Sequence, residues 1–226
     1  MRFLQKLAQF GIILSLPFFF IIAAIRVLTS PLYLNFEYKM PSFPPDNYGF
    51  SMEDRLAIAT PSPKFVRDPL PIDYLAKQNY ASQPVYNDRE LGHMVDVQAV
   101  FQGVWKGWTF ATLILLASVT GLWINPKTRN QLLRALEVSG AITVLAIFTI
   151  GFLAVIGWDT WFTVFHKIFF VEGSWLFSPA DTLIRLFPIH FWFDSVILIS
   201  AITLAGGYLV MFVGYKLRLK ALARSG

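Results

Sequence analysis

The stretch Val138–Gly157 reads VSGAITVLAIFTIGFLAVIG, without a single charged residue. At ~1.5 Å rise per residue, a helix of about 20 residues crosses the ~30 Å hydrocarbon core of a bilayer. Three more windows share this character: Leu7–Ile25, Gly107–Ile124 and Ser195–Gly214. The whole chain is 55% apolar or aromatic, which excludes an ordinary water-soluble domain of this length. The sequence therefore predicts an all-α transmembrane fold, a four-helix bundle with a small mixed extracytoplasmic cap between spans one and two. The expected divisions are span one (1–28), the cap with an amphipathic lead-in helix (29–103) and span two (104–124). A cytoplasmic loop (125–136), span three (137–158), an extracytoplasmic loop (159–189), span four (190–214) and a basic cytoplasmic tail (215–226) follow.

The first window has a basic flank, Arg2 and Lys6, as a signal peptide does. Its apolar run exceeds the usual ~7–15 residues and leads to Arg26 without a small-residue cleavage site, so it reads as a retained helix. Pro17 falls mid-span and is expected to kink it.

Charge sets the orientation. Met1–Ala8, Asn125–Arg134 and Tyr215–Gly226 carry Arg2, Lys6, Lys127, Arg129, Arg134, Lys216, Arg218, Lys220 and Arg224 and no acid. Short flanks rich in Lys and Arg stay in the cytoplasm, which puts both termini and the middle loop inside. The net charge of +5 then reflects topology and contact with anionic lipid, not nucleic-acid binding. All three histidines fall in the outward segments. The absence of cysteine excludes disulfides, thiol nucleophiles and thiolate metal sites.

The first outward segment holds nine of the thirteen prolines, between Pro31 and Pro84. Such spacing forbids long helices and favours extended pieces and turns. Its many tyrosines and phenylalanines argue for order all the same, with short strands expected around Leu32–Tyr38. Ser51–Ala59 reads as a short helix capped by Ser51, with Asp54 three residues on. From Asp88 a helix is expected to approach and enter span two, with Trp105 and Trp108 at headgroup level.

Chemistry concentrates near two blocks, Arg89–Val97 and Phe165–Phe170, each beside a span and both on the outward side. On a helix, Glu90, His93 and Asp96 share one face. A carboxylate there could orient His93 as a base, and imidazole titrates near neutral pH. The bland alternative is an exposed face with ordinary charge pairs and a cap at Asp88. His166 lies in an aromatic setting where a buried polar group needs partners. His190 reads as an interfacial polar anchor. Asp194 and Arg26, at the outer ends of spans four and one, could pair, since charges at that depth are expensive. Arg89 and Arg185 are candidate donors to an oxyanion or lipid phosphate. A metal site from Glu90, His93, Asp96 and His166 is the rival chemistry, but it lacks paired-histidine spacing. No serine-nucleophile elbow is present.

Taken together, Phe165-His166-Lys167-Ile168-Phe169-Phe170, Trp175-Leu176-Phe177, Pro179, Asp181-Thr182-Leu183-Ile184, Leu186-Phe187-Pro188 and Phe191-Trp192-Phe193-Asp194 resemble the signature of the bacterial lipoprotein intramolecular transacylase family. Glu90-x-x-His93-Met94-x-Asp96-Val97 is similar to its companion motif. The resemblance implies a multi-pass enzyme of the bacterial plasma membrane, acting on diacylated lipoprotein among membrane lipids at the extracytoplasmic face. One acyl chain of the diacylglyceryl group would move from the sn-2 ester to the N-terminal cysteine amine, leaving a lyso-form lipoprotein. His93 and His166 occupy the positions of the family's two histidines and are the expected catalytic residues, with Glu90, Asp96, Arg89 and Arg185 orienting them or stabilising charge. A monomer needing no cofactor, metal or nucleic acid is expected. The competing classes are a non-catalytic membrane accessory protein and a metal-assisted lipid hydrolase.

Overall fold

The computed structural model describes residues Arg2–Ala223; Arg224, counted above in the basic tail, lies outside the described residues. Four helices are long and apolar enough to cross a membrane, α1 (Arg2–Leu28), α6 (Asp88–Ile124), α7 (Arg129–Ile156) and α10 (Ile189–Ala223). Between α1 and α6 lie the short helices α2 (Pro31–Tyr38), α3 (Met52–Ala59), α4 (Pro61–Arg67) and α5 (Asp73–Ala76). A two-stranded antiparallel hairpin, β1 (Asn79–Tyr80) and β2 (Gln83–Pro84), completes the cap. α8 (Trp158–Phe169) and α9 (Thr182–Leu186) separate α7 from α10. The fold is thus an all-α membrane bundle with almost no sheet. At ~1.5 Å per residue α6 is roughly 55 Å long, well beyond a hydrocarbon core.

The chain divides into two compact units. The first, built from Met1–Ala24, Trp105–Phe152 and Ile197–Gly226, is the apolar bundle. Its core packs Ile12 and Leu16 of α1 against Leu115 and Leu122 of α6 and Leu132 and Ala135 of α7. Pro17 has no N–H to give to the carbonyl of Ile13. The Ser139 hydroxyl of α7 donates there instead, 3.3 Å from Ile13 O and 3.2 Å from Ile12 O. Supplying a proline-freed carbonyl from a neighbouring serine is what makes proline tolerable inside a span. Trp108 is held by α1 as well, its ring stacked on Phe19 and its indole N–H on the Phe19 carbonyl at 3.2 Å.

α7 and α10 approach closely because three glycines face the contact. A Cβ on Gly140 would lie 2.5 Å from the carbonyl oxygen of Gly207, and one on Gly214 would lie 2.8 Å from the Glu137 nitrogen. Small residues let helix backbones approach within a membrane, where packing drives association. Arg218 on α10 closes this contact with a two-bond pair to Glu137, at 2.7 and 3.1 Å. Large exposed side chains such as Phe110, Leu145, Phe148 and Tyr208 suit a surface that faces lipid.

The second unit comprises Ile25–Val104 and Leu153–Val196 and carries the cap. The expected strands around Leu32–Tyr38 are in fact helical. Ser30 caps α2 by accepting from the Tyr33 N–H, and Pro31 sits at the helix start, where its missing N–H is harmless. Ser51 caps α3 through the Asp54 N–H at 3.0 Å. Prolines thus start or separate short helices here, and the extended pieces expected from them are mostly absent. Arg55, only 1% exposed, donates to the backbone carbonyls of Pro44 and Arg185 and lies over the rings of Tyr38 and Phe43. Gln98 of α6 donates to the carbonyls of Phe65, Asp68 and Leu70, and Gln102 to that of Arg67. Those amides supply carbonyls at the end of α4 and in the turn that follows it.

Gly140→Val is expected to destabilise the detergent-solubilised protein by at least about 3 kcal/mol, since backbone stands in the way of the new side chain. Gly121→Ala, with nothing within 4 Å of the new Cβ, should be neutral or stabilise by up to about 1 kcal/mol. Thermal unfolding of the two variants checks this, and equal midpoints would refute the close approach.

Candidate active site

His93 stands one turn into α6, and the sequence around it explains how that turn is fixed. Asn87 Oδ1 accepts from the Glu90 N–H at 3.0 Å, and Glu90 Oε2 accepts from the Asn87 N–H at 2.9 Å. This is a reciprocal capping box, so the cap is Asn87 and not Asp88. The other Glu90 oxygen, Oε1, accepts from the Leu183 N–H of α9 at 2.7 Å. Glu90 is only 1% exposed and both oxygens serve backbone. Orienting His93 through Glu90 therefore acts on the helix and not on the ring. Asp96 is exposed at the surface.

Asp181 is the second organiser. It accepts from the Ser178 N–H at 2.7 Å, the Asn87 side-chain amide at 3.2 Å and Arg89 at 2.8 Å. Arg89 also lies over the Phe177 ring, 5.2 Å from its centre. Arg185 is committed elsewhere, with two bonds to Asp46 at 3.0 and 2.9 Å and its guanidinium 3.5 Å from the centre of the Phe50 ring. Arg185 holds the Asp46 carboxyl down at about 2. Neither arginine is a loose cation waiting for an oxyanion.

The two histidines share one aromatic enclosure. His93 contacts Phe170 and Phe177, with centroids 4.9 and 5.4 Å away. His166 lies 5.6 Å from the same Phe170, 4.0 Å from Phe162 and 4.8 Å from Trp175. The imidazoles are therefore no further apart than their two distances to Phe170 combined. His166 Nδ1 is 2.8 Å from the Phe162 carbonyl. A carbonyl only accepts, so Nδ1 carries the proton and Nε2 keeps its lone pair. Burial pushes the His166 pKa below its ordinary 6.5, against the opposing pull of the Phe162 carbonyl.

Two buried nitrogens in this enclosure, His93 Nδ1 and Trp175 Nε1, have no hydrogen-bond partner among the described residues. Such atoms are rare in native proteins, and each calls for a ligand or water. Trp175 stood in the quoted motif without a role; only its place beside His166 gives it one. A cavity of about 590 Å³ lies along Val85, Tyr86, Asn87, Glu90, Asp181 and Thr182, and its lining includes neither histidine. The rival metal set of Glu90, His93, Asp96 and His166 is not gathered as a metal-binding group, because Glu90 is turned to backbone.

α8, which carries His166, has no buried residue and exposes Val164, Phe165, Ile168 and Phe169. Four helices long and apolar enough to cross a bilayer, with an aromatic-rimmed surface helix beside two clustered imidazoles, define a multi-pass membrane protein. Residues 10–192 match the lipoprotein intramolecular transacylase family, Lit, and the chain belongs to that family, a family of acyltransferases acting on lipoproteins. An uncharacterized protein of Aquifex aeolicus is 27% identical over 215 residues, covering 93% of this chain and 94% of its own. The in meso structure of the membrane-integral transacylase Lit from Bacillus cereus superposes with a TM-score of 0.74 at 18% identity, covering 99% and 100% of the two chains. A structure of that protein with one histidine replaced by arginine gives 0.65 at 16% identity, over 99% of this chain and 95% of its own. At these identities the structural likeness speaks to the fold.

The depressed His166 pKa has a measurable sign. The native state binds fewer protons than the unfolded chain, so the neutral ring's contribution is complete above about pH 6.5. It is lost as pH falls through the lower folded value. An NMR titration of the His166 ring should show a midpoint below 6.5, and His166→Gln should flatten the loss of thermal stability on acidification. A midpoint at or above 6.5 would contradict the half-buried, carbonyl-bound ring.

Proposed function

We propose that this chain moves the sn-2 acyl chain of a diacylated lipoprotein onto the amine of its N-terminal cysteine, at the extracytoplasmic face of the bacterial plasma membrane. Family membership supports the reaction class. The observation that carries the reading is the pairing of His166, its Nε2 free, with His93 around Phe170. The basic flanks support cytoplasmic termini, which puts the histidines outside. The exposed apolar face of α8 suits acyl chains entering from the lipid, and a monomer is sufficient.

Each step follows from a named group. The substrate amine has an ordinary pKa of about 7.7–8, and an apolar enclosure favours its neutral form further. His166 Nε2 takes a proton as the nitrogen attacks the ester carbonyl. The Trp175 indole N–H and His93, as its donor tautomer, face the developing oxyanion and leaving oxygen. The amide C–N bond forms, the ester C–O bond breaks, and the glyceryl oxygen leaves with the proton that His166 took from the amine. Both imidazoles end neutral, as they began, so the product differs from substrate only in the position of one acyl chain. Amine and ester belong to one molecule, so holding them together supplies a large effective concentration. That removes the need for an acyl-enzyme intermediate.

Co-expression with a diacylated lipoprotein, in a host without other N-acylating enzymes, tests the assignment by mass spectrometry of the N-terminal lipopeptide. His93→Ala and His166→Ala should each lower product formation by ~10²–10⁴-fold, and Trp175→Phe by ~10²–10³-fold. Thermal unfolding should show all three variants folded. Wild-type product levels in either folded histidine variant would remove that residue from the chemistry.

A further inference from the structure

A second polar cluster lies in the same unit, made from residues that the acyl-transfer reading does not use. Glu37 is the one acid of α2, while His190 and Asp194 stand one turn apart at the start of α10. One ligand-type atom from each lies within 4.8 Å of the other two. Glu37 is only 2% exposed, yet its Oε1 has no hydrogen-bond partner among the described residues. His190 Nε2 is buried too. It sits 3.1 Å from Asp194 Oδ2, yet the two do not meet in hydrogen-bond geometry.

This is an odd arrangement for an ordinary ion pair. Two carboxylates, Glu37 fully buried and Asp194 part-exposed, are brought together, where like charges repel. Three ligand-type atoms within 4.8 Å of one another, beside a buried carboxylate with an unpartnered oxygen, match the spacing of ligands around a cation. Bonds of ~2.0–2.2 Å put tetrahedral ligands roughly 3.3–3.6 Å apart, between the 3.1 Å pair and the 4.8 Å outer bound found here. The charges close as well, since two carboxylates and a neutral imidazole balance one divalent ion. Of the neighbouring hydroxyls, Tyr33 pairs with Ser195 at 2.9 Å and also lies against Glu37, and Ser195 donates to the Phe191 carbonyl at 2.7 Å.

We propose that Glu37, His190 and Asp194 bind one divalent transition-metal ion, pinning α2 of the cap to the first turns of α10. Oxygen ligands alone would suit magnesium or calcium, but an imidazole among them selects zinc and its neighbours. His190 and Asp194, four residues apart on one helix, present their side chains on one face, and Glu37 adds the third ligand from another element. Water completes the sphere. The site is structural and does not depend on the acyl-transfer reading.

The test uses the full-length protein in detergent, purified through a tag without histidine, stripped with chelator and titrated with ZnCl₂ alone. The account expects about one zinc per chain after gel filtration and a rise in the thermal unfolding midpoint. CoCl₂ in place of zinc should give the intense visible bands of a low-coordinate cobalt site. His190→Ala and Glu37→Gln should each weaken zinc binding by at least about tenfold, since loss of even an outer-shell partner costs that much. His93→Ala and His166→Ala should leave it unchanged. Substoichiometric zinc without a stability shift in the wild-type protein would overturn the proposal, whatever the variants do. So would binding that survives His190→Ala and Glu37→Gln, or binding that is lost in His93→Ala, which would put the metal at the histidine pair.

Discussion

A single buried carboxylate, Glu90, ties together the parts from which the candidate site is made. One oxygen closes the capping box that starts α6 at Asn87, and the other starts α9 at Leu183. A buried charge without partners costs several kcal/mol, so this side chain cannot leave its two N–H groups cheaply. His93 lies three residues beyond it on the same helix, and Asp181 two residues before Leu183 gathers Ser178, Asn87 and Arg89. The loop bearing Phe177 is thereby held against the turn bearing His93. The acid contributes to a site without belonging to its reacting groups.

The bilayer imposes a matching rule on the bundle. Backbone polar groups there must find partners inside the protein, and Ser139 meets the one deficit that Pro17 creates. Glycines at the contact of α7 and α10 exchange side-chain bulk for close backbone packing. In the second unit the apolar surroundings act on the imidazoles instead. Partial burial lowers the His166 pKa, while the Phe162 carbonyl chooses its tautomer. One low-dielectric environment thus favours the neutral imidazole that a base requires.

Much of the fold was legible in the sequence because apolar length is a one-dimensional signal. Runs such as Val138–Gly157 need no tertiary context to be read as membrane helices, and the Ser51 cap with Asp54 is equally local. Leu32–Tyr38 misled because a proline-spaced, aromatic-rich segment suggests ordered extended pieces; Ser30 and Pro31 together made a helix start that outweighed them. The hairpin was hidden for a related reason. Its turn places Ala81 and Ser82 at φ of 49° and 65°, where glycine or asparagine would have announced it. In the site, His93 and His166 stood out by scarcity and setting. What Glu90 binds depends on Leu183, 93 residues away, and no spacing rule contains that. Glu37 was unreadable for the same reason, since its companions His190 and Asp194 lie at the other end of the chain.

The proposed reaction is an acyl transfer within one lipoprotein molecule, promoted by two imidazoles in an apolar enclosure. A crossover experiment addresses it most directly. The purified protein, in bilayer vesicles, is given an equal mixture of one diacylated lipopeptide with both chains deuterated and one with neither. The product is then separated and weighed. The account predicts lyso-form product of two masses only, each identical to its parent, with one chain on the α-amine and the sn-2 hydroxyl free. Products of mixed isotopic mass, or products lighter by one acyl chain, would contradict it.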